Sequence, residues 1–303
     1  MAPVQVKGEV LSMRRVGDYY ALTLVAAGVA EQARPGHFVA LAVGGPHGAT
    51  LLRRAFSIYR VQERGVYGGT VEIIFAPHGA GTQWLAGLRP HDPVDVVGPV
   101  GRPFALPKEQ VSTTLVGGGY GSAPLFSLAE QLRARGCRVD FVIGASTESR
   151  LFGALEAKRM SQSVAITTED GSVGERGRVS DVLPGLLQRS ESDVVYACGP
   201  MSMLKVVSDI ARAYGAHSQV AVEEAMACGI GVCMTCVLPV VGDDGVTRMV
   251  RSCVEGPVFN GDAIRWDALG TVPPDAHGAP EQAVLPPDRS AGKEQAIEAR
   301  ATS

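Results

Sequence analysis

The sequence has no uninterrupted apolar run near the roughly 20 residues that a membrane-spanning helix requires, so no such helix is expected in its 303 residues. It also has no cluster of Lys and Arg arranged as a stripe, which removes the electrostatic footprint of a nucleic-acid-binding protein. Acids slightly outnumber bases, and the formal net charge is −3. The N-terminal stretch MAPVQVKGEVLSMRRVG lacks an apolar core of signal-peptide length, so a cytoplasmic setting is expected. No internal repeat is present. What remains is 46% hydrophobic and 19% charged, the balance of a soluble globular protein with length enough for two or three domains.

The chain changes character along its length. Up to Pro103 it reads as short strands: Tyr20–Val25, His37–Val43, Arg54–Arg60, Thr70–Ala76 and Pro93–Val97, separated by clusters such as PGH, GGPHG and GGT. Closely spaced strands with turn signals between them predict a small antiparallel barrel or sandwich. A short helix is expected at Thr82–Leu88. From Val111 strands alternate with helices: Val111–Val116, Leu125–Arg135, Cys137–Gly144, Arg150–Arg159, Val164–Thr168, a helix from Ser180, Asp193–Ala197, and a helix to Tyr214. That alternation predicts a parallel sheet covered on both faces. Regularity is lost after Gln219–Val222, and beyond Trp266 the Pro-, Ala- and Gly-rich tail is expected to be disordered.

Six cysteines are unevenly placed. Cys137 and Cys198 stand alone in strand-like runs, whereas Cys228, Cys233, Cys236 and Cys253 crowd into ACGIGVCMTCVLPV and RSCVEGPVF. In an intracellular protein such a cluster points to a metal site more than to disulfides. The C-x4-C-x2-C spacing with one more distant cysteine is that of a plant-type 2Fe–2S loop. Gly229 and Gly231 let that backbone curl and aim N–H groups at sulfur. Zinc also takes four cysteines, but it is usually held by two similar knuckles, and only Cys233 and Cys236 form one here. A catalytic dithiol and a set of inert thiols are the other readings.

GGGYGSAP follows a strand and precedes a helix, the setting of a dinucleotide phosphate loop, but it lacks the third glycine of the strict fingerprint. The next strand ends in GAST, without an acidic residue for the ribose. A tight strand-to-helix turn that binds nothing is the alternative. In LLRRAFSIYR, Arg54 and Ser57 lie three apart, so strand alternation sets them on opposite faces unless the strand bends. In HGAGTQWL, Gly81 and Thr82 offer N–H groups at a helix start, either to a phosphate or simply as a cap.

Taken in order, PGHFVAL, RRAFSIYR, GAGT, VGPVGRPF, GGGYGSAPL, TTEDGSVGERGRVSD, YACGPMSML and EEAMACGIGVCMTC with RSCVEGPVF resemble the electron-transfer subunits of NAD-dependent dihydroorotate dehydrogenases. Those subunits are ferredoxin-reductase-like flavoproteins, and the resemblance runs from about Val6 to Phe259. It implies an antiparallel β-barrel FAD domain over residues 1–106, an α/β NAD-binding domain over 107–222 and a 2Fe–2S domain over 223–265, with 266–303 as tail. It implies FAD contacts at Arg54, Ala55, Phe56 and Ser57, at Ile74, Phe75 and Ala76, and at Gly81 and Thr82. Gly117, Gly118, Gly119 and Gly121 with Cys198, Gly199 and Pro200 would frame the nicotinamide, with Cys198 either over that site or in the core. Cys228, Cys233, Cys236 and Cys253 would hold the cluster.

The sequence departs from the family at Ala55, where proline is usual, at Ala76, where arginine is common, and at Arg102 and Pro103, where Asn and Gly are usual. The lost cation at position 76 implies weaker flavin phosphate binding. The resemblance further implies an FMN-containing catalytic partner, two copies of each subunit, and electron flow through the cluster and FAD to NAD in pyrimidine synthesis. Flavin is the required converter between one-electron and hydride carriers. Arg176 and Arg178 leave NAD and NADP both open. Related readings are a ferredoxin–NAD(P) reductase or a sulfide or hydrogenase diaphorase subunit. A different class of reading is a zinc-stapled, non-enzymatic binding protein on a degenerate reductase fold.

Overall fold

A computed structural model describes residues 2–45, 50–62, 65–66 and 68–280. Six strands close the N-terminal barrel: β1 (Val4–Val16), β2 (Tyr19–Val25), β3 (Phe38–Leu41), β4 (Arg54–Gln62), β5 (Thr70–Phe75) and β6 (Pro93–Val100), in the order β1-β2-β5-β4-β3-β6. β6 returns to β1, with Val4 opposite Gly98 and Glu9 opposite Pro93. Val10, Leu22, Leu24, Val39, Leu41, Ile58, Ile73 and Phe75 fill its interior. A four-residue helix, α1 (Ala27–Ala30), buries Val29 and Ala30 at its rim, and α2 (Ala80–Ala86) buries Gly81 and Leu85. The long strand β1 is absent from the expectations above. Its inward positions Gly8 and Val10 alternate with Lys7 and Glu9 on the outer face, so its text reads as charged and turn-like.

The second layer system is the expected α/β domain. It comprises β7 (Ser112–Gly118), α3 (Ala123–Ala134), β8 (Arg138–Ala145), α4 (Ala154–Met160), β9 (Ser163–Thr168), β10 (Glu175–Arg176), α5 (Val179–Ser190), β11 (Val194–Cys198), α6 (Met201–Ala213) and β12 (His217–Ala221). The sheet order is β10-β9-β8-β7-β11-β12-β15. The chain leaves β7 toward β8 and later returns to its other side as β11, so the strand order reverses at β7. Ligands of open α/β sheets bind at the carboxyl ends of strands at such a switch point.

The C-terminal segment forms a hairpin, β13 (Val237–Val241) with β14 (Thr247–Arg251), and then β15 (Val258–Asn260) adds antiparallel to β12. β15 is a second strand that sequence periodicity did not disclose, being three residues long. It fastens the cysteine segment to the sheet, and Val222 N–H donates to Pro257 O at 2.9 Å beside it. The expectation of disorder fails for the first part of the tail. Trp266 donates from Nε1 to Gly261 O at 2.9 Å, Arg265 pairs with Asp275, and His277 N–H donates to Thr247 O at 2.8 Å. Those contacts offset the low apolar content. Residues 281–303 of the predicted tail lie outside the described residues.

Barrel and sheet share one core. Tyr19, Ala21, Tyr59, Ile74 and Ala76 from the barrel meet Leu125, Phe126, Phe141, Phe152 and Tyr196 from the α/β domain. Tyr59 O–H donates to Glu156 at 2.7 Å, and Arg60 lies over its ring while also pairing with Glu156. Phe126 is completely buried, stacks on Phe141 at 5.5 Å and meets Tyr59 edge-on at 6.0 Å. Phe126→Ala should therefore cost about 3–5 kcal/mol, read as a lowered urea midpoint. A loss under about 1 kcal/mol would show that the junction repacks around the missing ring.

Candidate functional site

The glycine loop and the end of β11 pack backbone against backbone. A Cβ on Gly121 would lie 2.9 Å from Gly199 Cα and 3.1 Å from Cys198 O, and one on Gly199 would lie 3.2 Å from Gly118 N. Gly117 plays a different part: a Cβ there would meet Ser122 Cβ at 2.4 Å, so it permits the turn to fold back. Ser122 O–H in turn donates to Gly119 O at 2.8 Å. A cavity of about 560 Å³ runs along the carboxyl ends of β9, β8, β7, β11 and β12. Gly118, Gly119, Gly121 and Pro200 line it, whereas Gly117, Cys198 and Gly199 stand behind its wall. Cys198 is buried in the shared core. Burial, then the charge of Glu223, raises its thiol pKa well above the ordinary value, so it is a neutral packing group.

The cavity gathers residues that sequence reasoning missed. At its β12 end stands Glu223, and by the β7 turn stand Tyr120 and Tyr19. The two tyrosine rings meet edge-on at 5.2 Å, and Tyr19 O–H donates to Arg150 O at 2.7 Å. Burial pushes Tyr19 up to about 12, keeping it a neutral donor. Glu223 has no hydrogen-bond or ion-pair partner among the described residues. Desolvation raises its carboxyl pKa above the ordinary range. At the β9 end stand Ser146, Thr167, Glu169, Arg178 and Ser180. Of these only Arg178 was singled out beforehand; Arg176 does not line the cavity.

The expected flavin residues divide by the pleat of β4. Ala55 and Ser57 are exposed on the outer face, whereas Phe56 packs toward the barrel core. Arg54 nevertheless reaches the helix start: a Cβ on Gly81 would lie 3.6 Å from Arg54 Nε. The guanidinium thus stands beside the first N–H groups of α2, which lack intrahelical acceptors, a combination that suits a pyrophosphate. Thr82 Oγ1 is already used, accepting from His78 N–H at 2.9 Å and Gly79 N–H at 3.1 Å. Phe75 points into the barrel, 5.8 Å from the rings of Tyr20 and Phe56, and offers no side-chain contact to a ligand. Ile74 and Ala76 face the domain junction, and Ala76 is buried among apolar groups.

The cysteines occupy one loop and the end of the hairpin. Ile230, Val232 and Cys233 direct their N–H groups at Cys228 Sγ from 3.5, 3.3 and 3.4 Å. Gly229 (φ 70°), Gly231 (φ 84°) and, unusually for a bulky residue, Met234 (φ 58°) take left-handed conformations to make that curl. Arg251 braces it, donating to Gly231 O at 2.8 Å and pairing with Glu255 at 2.9 Å. Ser252 donates through both N–H and O–H to Cys236 O. Cys228 and Cys233 lie on the open loop, whereas Cys236 and Cys253 are buried together in one cluster. Among the described residues no three metal-ligating side chains converge on one point. Three cysteines on one curled loop with a fourth after the hairpin suit two irons better than the two similar knuckles of a zinc site. Hydrogen bonding, first from Thr235, lowers Cys233 to about 6, whereas burial and then Cys236 raise Cys253 to about 12.

Two contacts bring the cysteine loop to the flavin face. Cys236 and Cys253 pack with Phe38 and Val100, and a Cβ on Gly229 would lie 3.4 Å from Ala40 Cβ. Phe38 pairs with Ser57 and Ala40 with Ala55 across β3 and β4, and directly paired residues share a face of the sheet. The residues present therefore fit a flavin and a thiolate cluster on adjoining surfaces.

If Glu223 complements the cationic ring of an oxidised nicotinamide, its raised pKa fixes the sign of a pH effect. The carboxylate is present above that pKa and lost below it. NAD⁺ affinity should then fall on acidification, beginning at a higher pH than an ordinary carboxylate would give, and Glu223→Gln should remove this dependence and weaken binding about tenfold at neutral pH. Calorimetric titrations at several pH values test this. Equal, pH-independent affinities in both proteins would remove Glu223 from the ring.

Comparison with known proteins agrees with this arrangement. The profile of the iron–sulfur cluster binding domain of dihydroorotate dehydrogenase B matches residues 223–265, and that of the oxidoreductase NAD-binding domain matches residues 115–209. The dihydroorotate dehydrogenase B (NAD(+)) electron transfer subunit of Geobacillus thermodenitrificans is 38% identical over 253 residues, covering 82% of this chain and 94% of that one. The Fusobacterium nucleatum protein of the same name is 36% identical, covering 80% and 91%. Among solved structures, the NADH-dependent reduced ferredoxin-NADP oxidoreductase superposes with a TM-score of 0.74 at 29% identity, covering 86% of this chain and 91% of that one. A ferredoxin NADP⁺ reductase from Neisseria gonorrhoeae with bound FAD and NADP shares the fold at 18% identity and a TM-score of 0.58, covering 73% and 93%. With the barrel, the switch-point cavity and the four-cysteine loop in one chain, this protein belongs to the family of dihydroorotate dehydrogenase B electron transfer subunits.

Proposed function

We propose that this chain passes electrons from an FMN-containing catalytic subunit that oxidises dihydroorotate to NAD, serving pyrimidine synthesis. The observation that carries the reading is the contact of the cysteine loop with the outer face of β3 and β4, where Phe38 touches Cys236 and Cys253 and pairs with Ser57. Cys228, Cys233, Cys236 and Cys253 would hold the 2Fe–2S cluster. Arg54, Ala55, Ser57, Gly81 and Thr82 would hold FAD, with Phe56, Phe75, Ile74 and Ala76 shaping the strands beneath it. Gly118, Gly119, Gly121 and Pro200 would seat NAD, supported from behind by Gly117, Cys198 and Gly199. Residues 1–106, 107–222 and 223–265 are the corresponding domains.

When bound, FAD supplies the exchange between single electrons and a hydride. The chain's own groups position and tune. Arg54 and the start of α2 neutralise phosphate charge. N–H groups of Ile230, Val232 and Cys233 point at Cys228 Sγ, and hydrogen bonds to cluster sulfurs are a lever on cluster potential. Glu223 and the neutral tyrosines shape the ring end of the cavity. No residue here is required to take a proton from dihydroorotate, which is consistent with substrate chemistry on the partner.

The partner's docking face is the rim of the cysteine loop. Ile230, Val232, Met234 and Val254 are large, apolar and exposed, Val232 to 75%. Apolar groups gathered around a redox centre suit an interface across which electrons pass. A two-plus-two assembly in the cytoplasm is the expected form. No helix among the described residues is long and apolar enough to cross a membrane.

The test is anaerobic co-purification with the catalytic subunit, followed by dihydroorotate-dependent NADH formation. Cys233→Ser should lower iron content and abolish NADH formation while the complex stays assembled. Val232→Asp should weaken assembly about tenfold or more with iron and flavin intact. No NADH from a fully loaded wild-type complex would overturn the dihydroorotate assignment and turn attention to another donor, as the likeness to the reduced ferredoxin-NADP oxidoreductase suggests.

A further inference from the structure

The β9 end of the cavity has a chemistry of its own. Glu169 follows β9 directly and is fixed by its N–H, which donates to Ala145 O at 3.1 Å. The loop beyond it is tied down at Thr168, whose Oγ1 donates to Val173 O and accepts from Val173 N–H, and whose carbonyl accepts from Gly177 N–H. That loop delivers Arg178 back to Glu169, with Nε 3.5 Å from Oε1. Asp170 turns aside to bind Ser172. Thr167 Oγ1 lines the same end, wholly buried and without a hydrogen-bond partner. Gly144 beside it has no room for a side chain: a Cβ would lie 2.7 Å from Thr167 Oγ1 and 2.5 Å from Val179 Cγ1. Glu169 on an anchored backbone, Arg178 facing it and a glycine floor over the buried Thr167 hydroxyl make a polar subsite with no occupant among the described residues.

We propose that Glu169, held against Arg178, selects NAD over NADP by accepting the adenosine ribose hydroxyls and opposing a 2′-phosphate. The inference rests on the reading that this cavity takes the dinucleotide. Glu223 marks the β12 end, and the tyrosines and the contact with the barrel lie by the β7 turn, which leaves the β9 end for the adenosine half. A ribose diol donates hydrogen bonds to a carboxylate. A 2′-phosphate has only acceptors. It would have to displace Glu169 from Arg178 and then sit beside the displaced carboxylate. Without that carboxylate, the guanidinium is free to take the phosphate through two parallel hydrogen bonds. Arg178 alone thus does not mark this chain for NADP, because its pairing decides what it can bind.

The test measures equilibrium binding to the assembled, cofactor-loaded complex by calorimetry, with four probes: NAD⁺, NADP⁺, AMP and adenosine 2′,5′-bisphosphate. Glu169→Gln keeps the shape of an exposed side chain. It should weaken NAD⁺ and AMP about tenfold and strengthen NADP⁺ and the bisphosphate by about the same factor. In Glu169→Gln/Arg178→Ala the gain for the phosphorylated probes should vanish. A ratio of NADP⁺ to NAD⁺ affinity that Glu169→Gln leaves unchanged would overturn the proposal. Gly121→Val separates this from an error in the underlying reading, since Gly121 lines the middle of the cavity and a side chain there meets Gly199 behind the wall. If that variant binds all four probes as the wild type does, the dinucleotide lies elsewhere and the assignment of Glu169 falls with it.

Discussion

The strand pair β3 and β4 is a wall one residue thick, and the arrangement of the molecule depends on its two faces. Strand geometry alternates side chains, so the same few residues must serve both. Val39, Leu41 and Ile58 close the barrel from inside. Phe38, Ala40, Ala55 and Ser57 form the outside, where flavin and cysteine loop adjoin. Small residues matter on that side. Ala40 and Gly229 meet at van der Waals distance, and a longer side chain at either position would lift the loop away from the flavin face. Phe38 and Val100 also cover Cys236 and Cys253, keeping water from half of the thiolate set. A dry surround is one of the few levers a protein has on a cluster's potential.

Holding that wall against the cavity requires the three domains to behave as one body. The barrel and sheet share aromatic core, with Tyr59, Phe126 and Phe152 meeting edge to face. The cysteine segment is held on two sides. β15 extends the sheet beside β12, and Arg102 bridges to Pro257 at the barrel's exit. Gly101 has no room for a Cβ because Pro257 Cδ would lie 2.5 Å away. That close approach accounts for the glycine. It leaves Arg102 and Pro103, which differ from the family pattern, to act through the backbone. The hairpin's ion pairs are exposed and individually weak; the shared strands and buried rings carry the rigidity.

Legibility in the sequence followed range. The cysteine loop could be read because its ligands, glycines and spacing are contiguous from Cys228 to Cys236. The α/β half could be read because each strand and helix carries its own periodicity. β1 could not, since Lys7, Glu9, Arg14 and Arg15 on its solvent face outweigh the few residues turned inward. β15 is three residues whose pairing with Gln219–Ala221 is settled by tertiary packing. The stretch from Trp266 to Pro280 looked disordered by composition, yet isolated polar anchors such as Arg265 with Asp275 order it. The flavin triplet at Ile74, Phe75 and Ala76 was legible as a motif but not by role, because only the closed barrel decides that Phe75 turns inward.

The carboxylates of the cavity were the least legible feature, and the reason is physical. GAST ends β8 without an acid, so the ribose partner appeared to be missing; the topology supplies Glu169 from β9 instead, the next strand outward. Glu223 lies at the far end, beyond β12, in a stretch that otherwise reads as the approach to the cysteines. The two are the same residue type with opposite surroundings. Glu169 is half exposed and faces Arg178 across an open end of the cavity. Glu223 is pressed among protein groups with no partner, so its charge is held at a cost that a cationic ring would relieve. One dinucleotide has both kinds of group, a diol at one end and a ring that changes charge at the other. The cavity's two acids are matched to that difference by environment, and environment is what a linear sequence does not carry.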